Sequence, residues 1–288
     1  MRVAALSVLS LRLTAAAEAP ATFTVTSSAP EHLISPNLYS IFFETEINFG
    51  SEGGLYAELI HNRDFERLGR DKWGGDRADL AGMSAIERAF APADPEAPGL
   101  DPHEPPAIPT DYSPWKPVGR AVLAVENGSA PFATNPHSLL LRGGESDGIS
   151  NPGYWGLGVR PGVAFNLSLY AQVLSPVPAG GVRFNASVRC ADGSTVSSVL
   201  VGAGSRCGGR QWCLLNASLP PPARACRGER DGGSFELALT QGATEVRLDG
   251  VSLRHADAVD GLFRRDVFEK VRAMRPGFVR SPGGNSAG

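Results

Sequence analysis

Between residues 119 and 255 the chain is a run of short alternating apolar segments, at 121–125, 138–142, 163–173, 181–188, 195–201, 211–219, 235–239 and 245–254. Successive residues of an extended chain face opposite ways, so each segment carries one apolar and one polar face. Such faces are buried by stacking sheets. Turn residues recur at roughly regular intervals between the segments, which fits an all-β sandwich. The flanks are of another kind. Before this region, the apolar run 38–43 reads as a buried strand that breaks into Glu44, Glu46, Asn48 and Glu52, and 55–60 has the spacing of a short helix. After it, apolar residues at 263, 267, 268, 271 and 274 predict a helix over 260–275, stopped by Pro276-Gly277, with a strand at 278–280. One helix and one strand cannot bury both their faces, so the chain reads as stopping within a domain.

The intervening stretch 69–118 is rich in proline, nine of them between 92 and 117, and reads as a linker or surface insertion rather than a packed element. A Pro-rich docking peptide is the alternative. Thr22-Phe-Thr-Val-Thr26 alternates strictly and predicts a strand.

Composition narrows the partners. A net charge of −3 offers no electrostatic case for nucleic acid or an anionic membrane. No apolar run reaches the roughly 18 residues of a membrane span. Residues 1–19 place Arg2 before a short apolar run and end in small residues at Ala15, Ala17 and Ala19, the pattern of a secretory signal peptide, although Arg12 interrupts it. A truncated or miscalled start is the competing reading. Asn127, Asn166, Asn185 and Asn216 each open an Asn-x-Ser triplet, a glycosylation signal in a secreted chain. The four cysteines, Cys190, Cys207, Cys213 and Cys226, are clustered and even in number, which reads as two disulfides of unranked pairing. A zinc site is the alternative, without a Cys-x2-Cys pair or a nearby histidine.

Three separated stretches resemble one family. Phe42-Phe-Glu-Thr-Glu-Ile-Asn with Glu52-Gly-Gly-Leu-Tyr-Ala-Glu-Leu-Ile-His-Asn-Arg63 is similar to the N-terminal segment of family 51 glycoside hydrolases, the α-L-arabinofuranosidases. Asn151-Pro-Gly-Tyr-Trp-Gly-Leu-Gly158 resembles the carbohydrate-binding-module-like domain of the plant-type members. Gly261-Leu-Phe-Arg-Arg-Asp-Val267 and Arg275-Pro-Gly-Phe-Val-Arg280, followed by Pro282-Gly-Gly-Asn285, resemble an early barrel helix and the strand after it. The resemblance implies a multi-domain fold, α/β plus all-β: the start of a (β/α)8 barrel interrupted by a jelly-roll β-sandwich at 119–256. Residues 20–68 would carry the N-terminal strand and first barrel strand and helix, and 257–288 the next helix and strand.

The implied activity is retaining hydrolysis of non-reducing-end α-L-arabinofuranosyl groups from arabinose-containing polysaccharides, by a secreted enzyme. Retaining chemistry uses two carboxyl groups about 5 Å apart, on opposite sides of the sugar. Glu44 and Glu46 share one face of one strand and do not make such a pair. The resemblance places both catalytic glutamates beyond position 288. It carries over substrate binding instead, to Glu44, whose carboxylate can accept from two hydroxyls, and to Asn285, whose amide donates and accepts. Ser281 departs from the aromatic expected before Pro282, and Thr45 separates acids that are adjacent in several members. No cofactor is implied beyond a structural Ca2+, for which Asp249 is the candidate ligand. The alternative function is non-catalytic carbohydrate binding by the sandwich through Trp212, Tyr154 or Trp155, the last two of which could instead pack the sandwich core. His61, His137 and His255 read as structural or exposed.

Overall fold

The computed structural model describes residues 34–42, 51–66, 114–154, 156–175, 181–203, 207, 211–226, 232–241 and 244–280. The leader, the 22–26 strand, most of the Pro-rich stretch, Glu44, Trp155, Ser281 and Asn285 lie outside them.

Twelve strands are described: β1 (Ile41–Phe42), β2 (Lys116–Val118), β3 (Val122–Phe132), β4 (Asn135–Gly143), β5 (Gly148–Asn151), β6 (Phe165–Ser175), β7 (Val182–Arg189), β8 (Thr195–Ala203), β9 (Cys213–Leu219), β10 (Ser234–Leu239), β11 (Thr244–His255) and β12 (Val279–Arg280). Ten of them form two five-stranded sheets, ordered β2-β5-β10-β7-β8 and β3-β4-β11-β6-β9, antiparallel throughout. The alternation read from the sequence is what packs them. In β6, Phe165, Leu167, Leu169, Ala171 and Val173 are buried and belong to the shared core, while Asn166 between them is exposed. Phe184, Phe235, Leu237, Leu248 and Leu253 meet them from both sheets. A buried phenylalanine of this kind contributes about 1.5–3 kcal/mol by removal from water.

Two strands escape the sequence pattern. β5 is only four residues long, and β2 contains Pro117, which a sheet edge tolerates because its missing N–H is not needed there. Strand pairing thus reaches back to Lys116, into the stretch read as linker. Trp115 beside it is 2% exposed, and its indole N–H donates to the Asn62 carbonyl at 2.8 Å.

The flanking pieces form a separate unit. β1 and β12 pair in parallel, Ile41 with Val279 and Phe42 with Arg280, and the Arg280 guanidinium lies 5.0 Å from the centre of the Phe42 ring. Helix α1 (Arg265–Met274) immediately precedes β12, and Arg275 closes it in the left-handed conformation at φ 48°. Parallel strands need a crossover connection, commonly a helix. Here the crossover holds the whole sandwich as well as α1. The 38–43 run was expected to be buried, yet Leu38 is 75% and Phe42 58% exposed. No residue of α1 is buried either. Two strands and one helix leave this apolar surface uncovered.

The expected helix at 55–60 is not formed. A single π-helical turn spans Ser51–Leu55, and the chain then runs extended, with Tyr56 bridging to Phe263 and Glu58 to Arg254. The Ala57 N–H donates to the Leu262 carbonyl at 2.7 Å and the Leu59 N–H to Leu253 at 3.0 Å. Backbone pairing along the end of β11 overrides the local helical spacing.

Candidate functional site

The carboxyl ends of parallel strands are where α/β folds place their chemistry. β1 ends at Phe42, two residues before Glu44, and β12 ends at Arg280, five residues before Asn285. Because the two strands are neighbours and run the same way, their carboxyl ends lie on the same side of the pair. Glu44 and Asn285 themselves lie outside the described residues.

The chain from 56 to 66 is fastened to the sandwich by Glu58, whose role the sequence did not reveal. Its side chain is 11% exposed. Oε1 accepts from the backbone N–H groups of Leu59 (3.1 Å), Ile60 (3.0 Å) and Leu253 (3.0 Å), and Oε2 accepts from the Ser252 hydroxyl at 2.6 Å. Arg63 and Arg254 stand 3.7 and 3.6 Å from Oε2. An ionised carboxylate surrounded by donors and cations compensates its own desolvation. The one sequence signal was a lone acid between the apolar residues Ala57 and Leu59.

A second tie joins His61 to β5. The fully buried Asn151 accepts from the His61 N–H (3.4 Å) and the Gly153 N–H (2.8 Å) and donates to the His61 carbonyl at 2.9 Å. The His61 ring stacks on Tyr154 with centroids 4.7 Å apart. Tyr154 also crowds Gly53, whose φ of +74° a side chain would resist. Tyr154 therefore packs between the two units. Trp212 is half-buried and donates its indole N–H to the Ser129 carbonyl at 3.1 Å.

His137 Nδ1 lies 2.5 Å from Glu66 Oε2, and its backbone N–H donates to Glu66 Oε1 at 2.8 Å. His255 is buried against Phe165 with Nε2 2.7 Å from the Gly158 carbonyl; burial, and then the Arg160 charge, lower its pKa.

Asp249 is 0% exposed. Oδ1 accepts from the Gly250 N–H at 2.6 Å, and Oδ2 has no hydrogen-bond partner among the described residues. Burial pushes its pKa up to about 7, with further raising by the Asp64 and Glu66 charges against lowering by the Gly250 N–H and Arg63. Among the described residues no group of three or more His, Cys, Asp or Glu side chains is arranged to hold a metal ion. The raised pKa has a consequence for stability. Between the ordinary carboxylate value of 3.8 and about 7 the folded chain holds a proton that the unfolded chain has released, so stability falls as pH rises through this window. As pH rises from 4 to 8, the urea midpoint of wild type is expected to fall relative to that of Asp249→Asn, a comparison in which the opposing contribution of His255 cancels.

The four cysteines form two disulfides, Cys190–Cys226 and Cys207–Cys213, with Cα atoms 5.3 Å apart in each. Of the four sequon asparagines, Asn127, Asn166 and Asn216 are exposed on β3, β6 and β9 of one sheet. Asn185 is half-buried on β7 of the other. Among the described residues no helix is long and apolar enough to cross a membrane.

No family model matches the chain. It is 26% identical over 273 residues to α-L-arabinofuranosidase 2 of Arabidopsis thaliana, across 90% of this chain and 33% of that protein. It is 28% identical over 268 residues to an extracellular exo-α-L-arabinofuranosidase of Streptomyces chartreusis, across 91% of this chain and 25% of that protein. The chain thus spans about a third or less of the length of these relatives. Among solved structures, an arabinose-bound GH51 α-L-arabinofuranosidase superposes with a TM-score of 0.63 at 22% identity, over 89% of this chain and 36% of that one, a likeness of fold. The chain is thus similar to α-L-arabinofuranosidases over about a third of their length.

Proposed function

We propose that β1, α1 and β12 are the opening units of a (β/α)8 barrel belonging to a secreted, retaining α-L-arabinofuranosidase, with the sandwich inserted into their crossover. The parallel pairing of β1 with β12 carries this reading. Two strands separated by more than 230 residues meet as neighbours, with a crossover helix before the second and an apolar surface left open for further barrel units. The arabinofuranosidase relatives supply the activity. The two disulfides and the extracellular Streptomyces relative support secretion.

In this reading Glu44 and Asn285 hold the arabinose ring at the strand ends, each by hydrogen bonds to furanose hydroxyls. The nucleophile and the acid/base come from later barrel strands, so the 288-residue chain alone binds but does not cleave. Glu44→Gln in the polypeptide as its source makes it removes one charged hydrogen bond, worth about 1.5–3 kcal/mol. The expected loss in kcat/KM on an aryl α-L-arabinofuranoside is about 10- to 100-fold. An unchanged kcat/KM would remove Glu44 from the substrate site.

A further inference from the structure

The sandwich has four sheet edges, β2 and β8 in one sheet and β3 and β9 in the other. An edge strand offers unpaired backbone groups to a second copy of the chain, and it is usually guarded by charge, proline, shortness or a bulge. Two of these edges carry such guards. β2 is three residues long and contains Lys116 and Pro117. β3 contains Glu126 and Pro131, and its pairing with β4 breaks register between Asn127 and Phe132. The other two edges lie on the opposite side and carry no charged residue and no proline. β8 reads Thr-Val-Ser-Ser-Val-Leu-Val-Gly-Ala, and β9 reads Cys-Leu-Leu-Asn-Ala-Ser-Leu. They lie close together: the Ser197 hydroxyl on β8 donates to the Pro220 carbonyl, just beyond β9, at 2.5 Å.

On β9 the missing guard coincides with an Asn-x-Ser triplet. Leu214, Asn216 and Ser218 are exposed and alternate with the buried Leu215 and Leu219, so the three share the outer face. Leu214 is 51% exposed. β9 pairs with β6 from Phe165 opposite Leu219 to Ala171 opposite Cys213, and among the described residues no strand pairs with its other side. An uncharged edge with an exposed leucine, no glycine and no proline is the kind of segment that pairs with its own copy. The remaining triplets are placed differently. Asn166 and Asn185 lie on β6 and β7, which have strands on both sides, and Asn127 lies on the guarded β3.

We propose that Asn216 carries an N-linked oligosaccharide whose role is to keep β9 from pairing with the β9 of a second molecule. The acceptor is Asn216-Ala217-Ser218. The amide nitrogen bonds to the anomeric carbon of an oligosaccharide carried on a lipid pyrophosphate. The bond from that carbon to the pyrophosphate oxygen breaks, and the amide gives up a proton. The product is bulky and hydrated. It stands on the face that exposes Leu214, two residues away. Stacked sheets lie about 10 Å apart, so a branched oligosaccharide rooted on β9 also reaches past the β8 edge. It does by bulk what Lys116 and Glu126 do by charge on the other side of the sandwich. The inference rests on the secretion reading, because transfer takes place on the same route on which the Cys207–Cys213 bridge at the head of β9 forms.

The test uses the polypeptide as its source secretes it. Peptide mass spectrometry should find an oligosaccharide on Asn216. Ser218→Ala and Ser218→Lys both remove the acceptor triplet, but the second puts a charge on the exposed face of β9. Ser168→Ala removes the triplet of Asn166, on an interior strand, as a control. In sedimentation velocity Ser218→Ala should self-associate at least about tenfold more tightly than wild type. The amides of 213–219 should gain hydrogen-exchange protection in the associated form. Ser218→Lys and Ser168→Ala should behave as wild type. Thermal melting confirms that each variant folds. Trimming folded wild type with an endoglycosidase should produce the same association, without relying on any variant. The proposal is overturned by an unmodified Asn216, by trimmed wild type or folded Ser218→Ala that stays as monomeric as wild type, or by Ser218→Lys associating as tightly as Ser218→Ala. If Asn127 and Asn166 are unmodified as well, the secretion reading falls too; a bare Asn216 beside a modified Asn127 or Asn166 sinks this inference alone.

Discussion

Glu58→Ala is expected to destabilise the junction of the 56–66 segment with the sandwich by about 3–5 kcal/mol, because it leaves three buried donors without their acceptor at about 1–3 kcal/mol each. The Ile60 and Leu253 N–H groups and the Ser252 hydroxyl would lose their acceptor, and Arg63 and Arg254 their shared counter-charge. Leu59 would keep its bond to the Leu253 carbonyl. The first consequence should be local: the 56–66 segment, whose Leu59, Ile60 and Phe65 pack into the edge of the sandwich core, should loosen from β11 before the two sheets part. Hydrogen exchange reads this directly. Amide protection at Ile60 should fall by several orders of magnitude while Leu167 and Leu237, in the core, stay protected. Equal loss at all three sites would show that the junction and sandwich are one cooperative unit.

Removing the Cys190–Cys226 disulfide by double substitution to serine should cost about 4 kcal/mol, from the chain entropy of the loop it closes. Its cysteines are 36 residues apart and link the end of β7, in one sheet, to the segment beyond β9, in the other. The Cys207–Cys213 bridge spans only 6 residues, and its removal should cost about 2 kcal/mol by the same relation. Guanidinium denaturation of the two double variants measures both. A larger loss from the short bridge would show that native packing around Cys207 and Cys213, rather than loop closure, sets the cost.

Most of the sandwich was legible in the sequence because period-two alternation reports burial directly. Phe165 to Val173 shows this: every second residue enters the core. β2 and β5 were hidden because three- and four-residue strands are too short to show a period, and Pro117 reads as a linker residue unless its edge position is known. The 55–60 segment misled for a different reason. Leu55, Leu59 and Ile60 have helical spacing, but the backbone of β11 offers carbonyls and N–H groups that an extended chain meets better. Of the site, the strand ends that precede Glu44 and Asn285 could be read, since a buried-type run breaking into polar residues marks them. Glu58 and Asn151 could not, because each depends on contacts between residues far apart in the chain.

The central claim is that this chain supplies the opening units of an arabinofuranosidase barrel and leaves the cleaving carboxylates to later strands. The direct measurement is hydrolysis of p-nitrophenyl α-L-arabinofuranoside by two samples: the polypeptide as its source makes it, and the 288-residue chain alone. Turnover by the first with retained anomeric configuration, and none by the second, is the predicted result. Turnover by the 288-residue chain alone, or none by the polypeptide from the source, would contradict it.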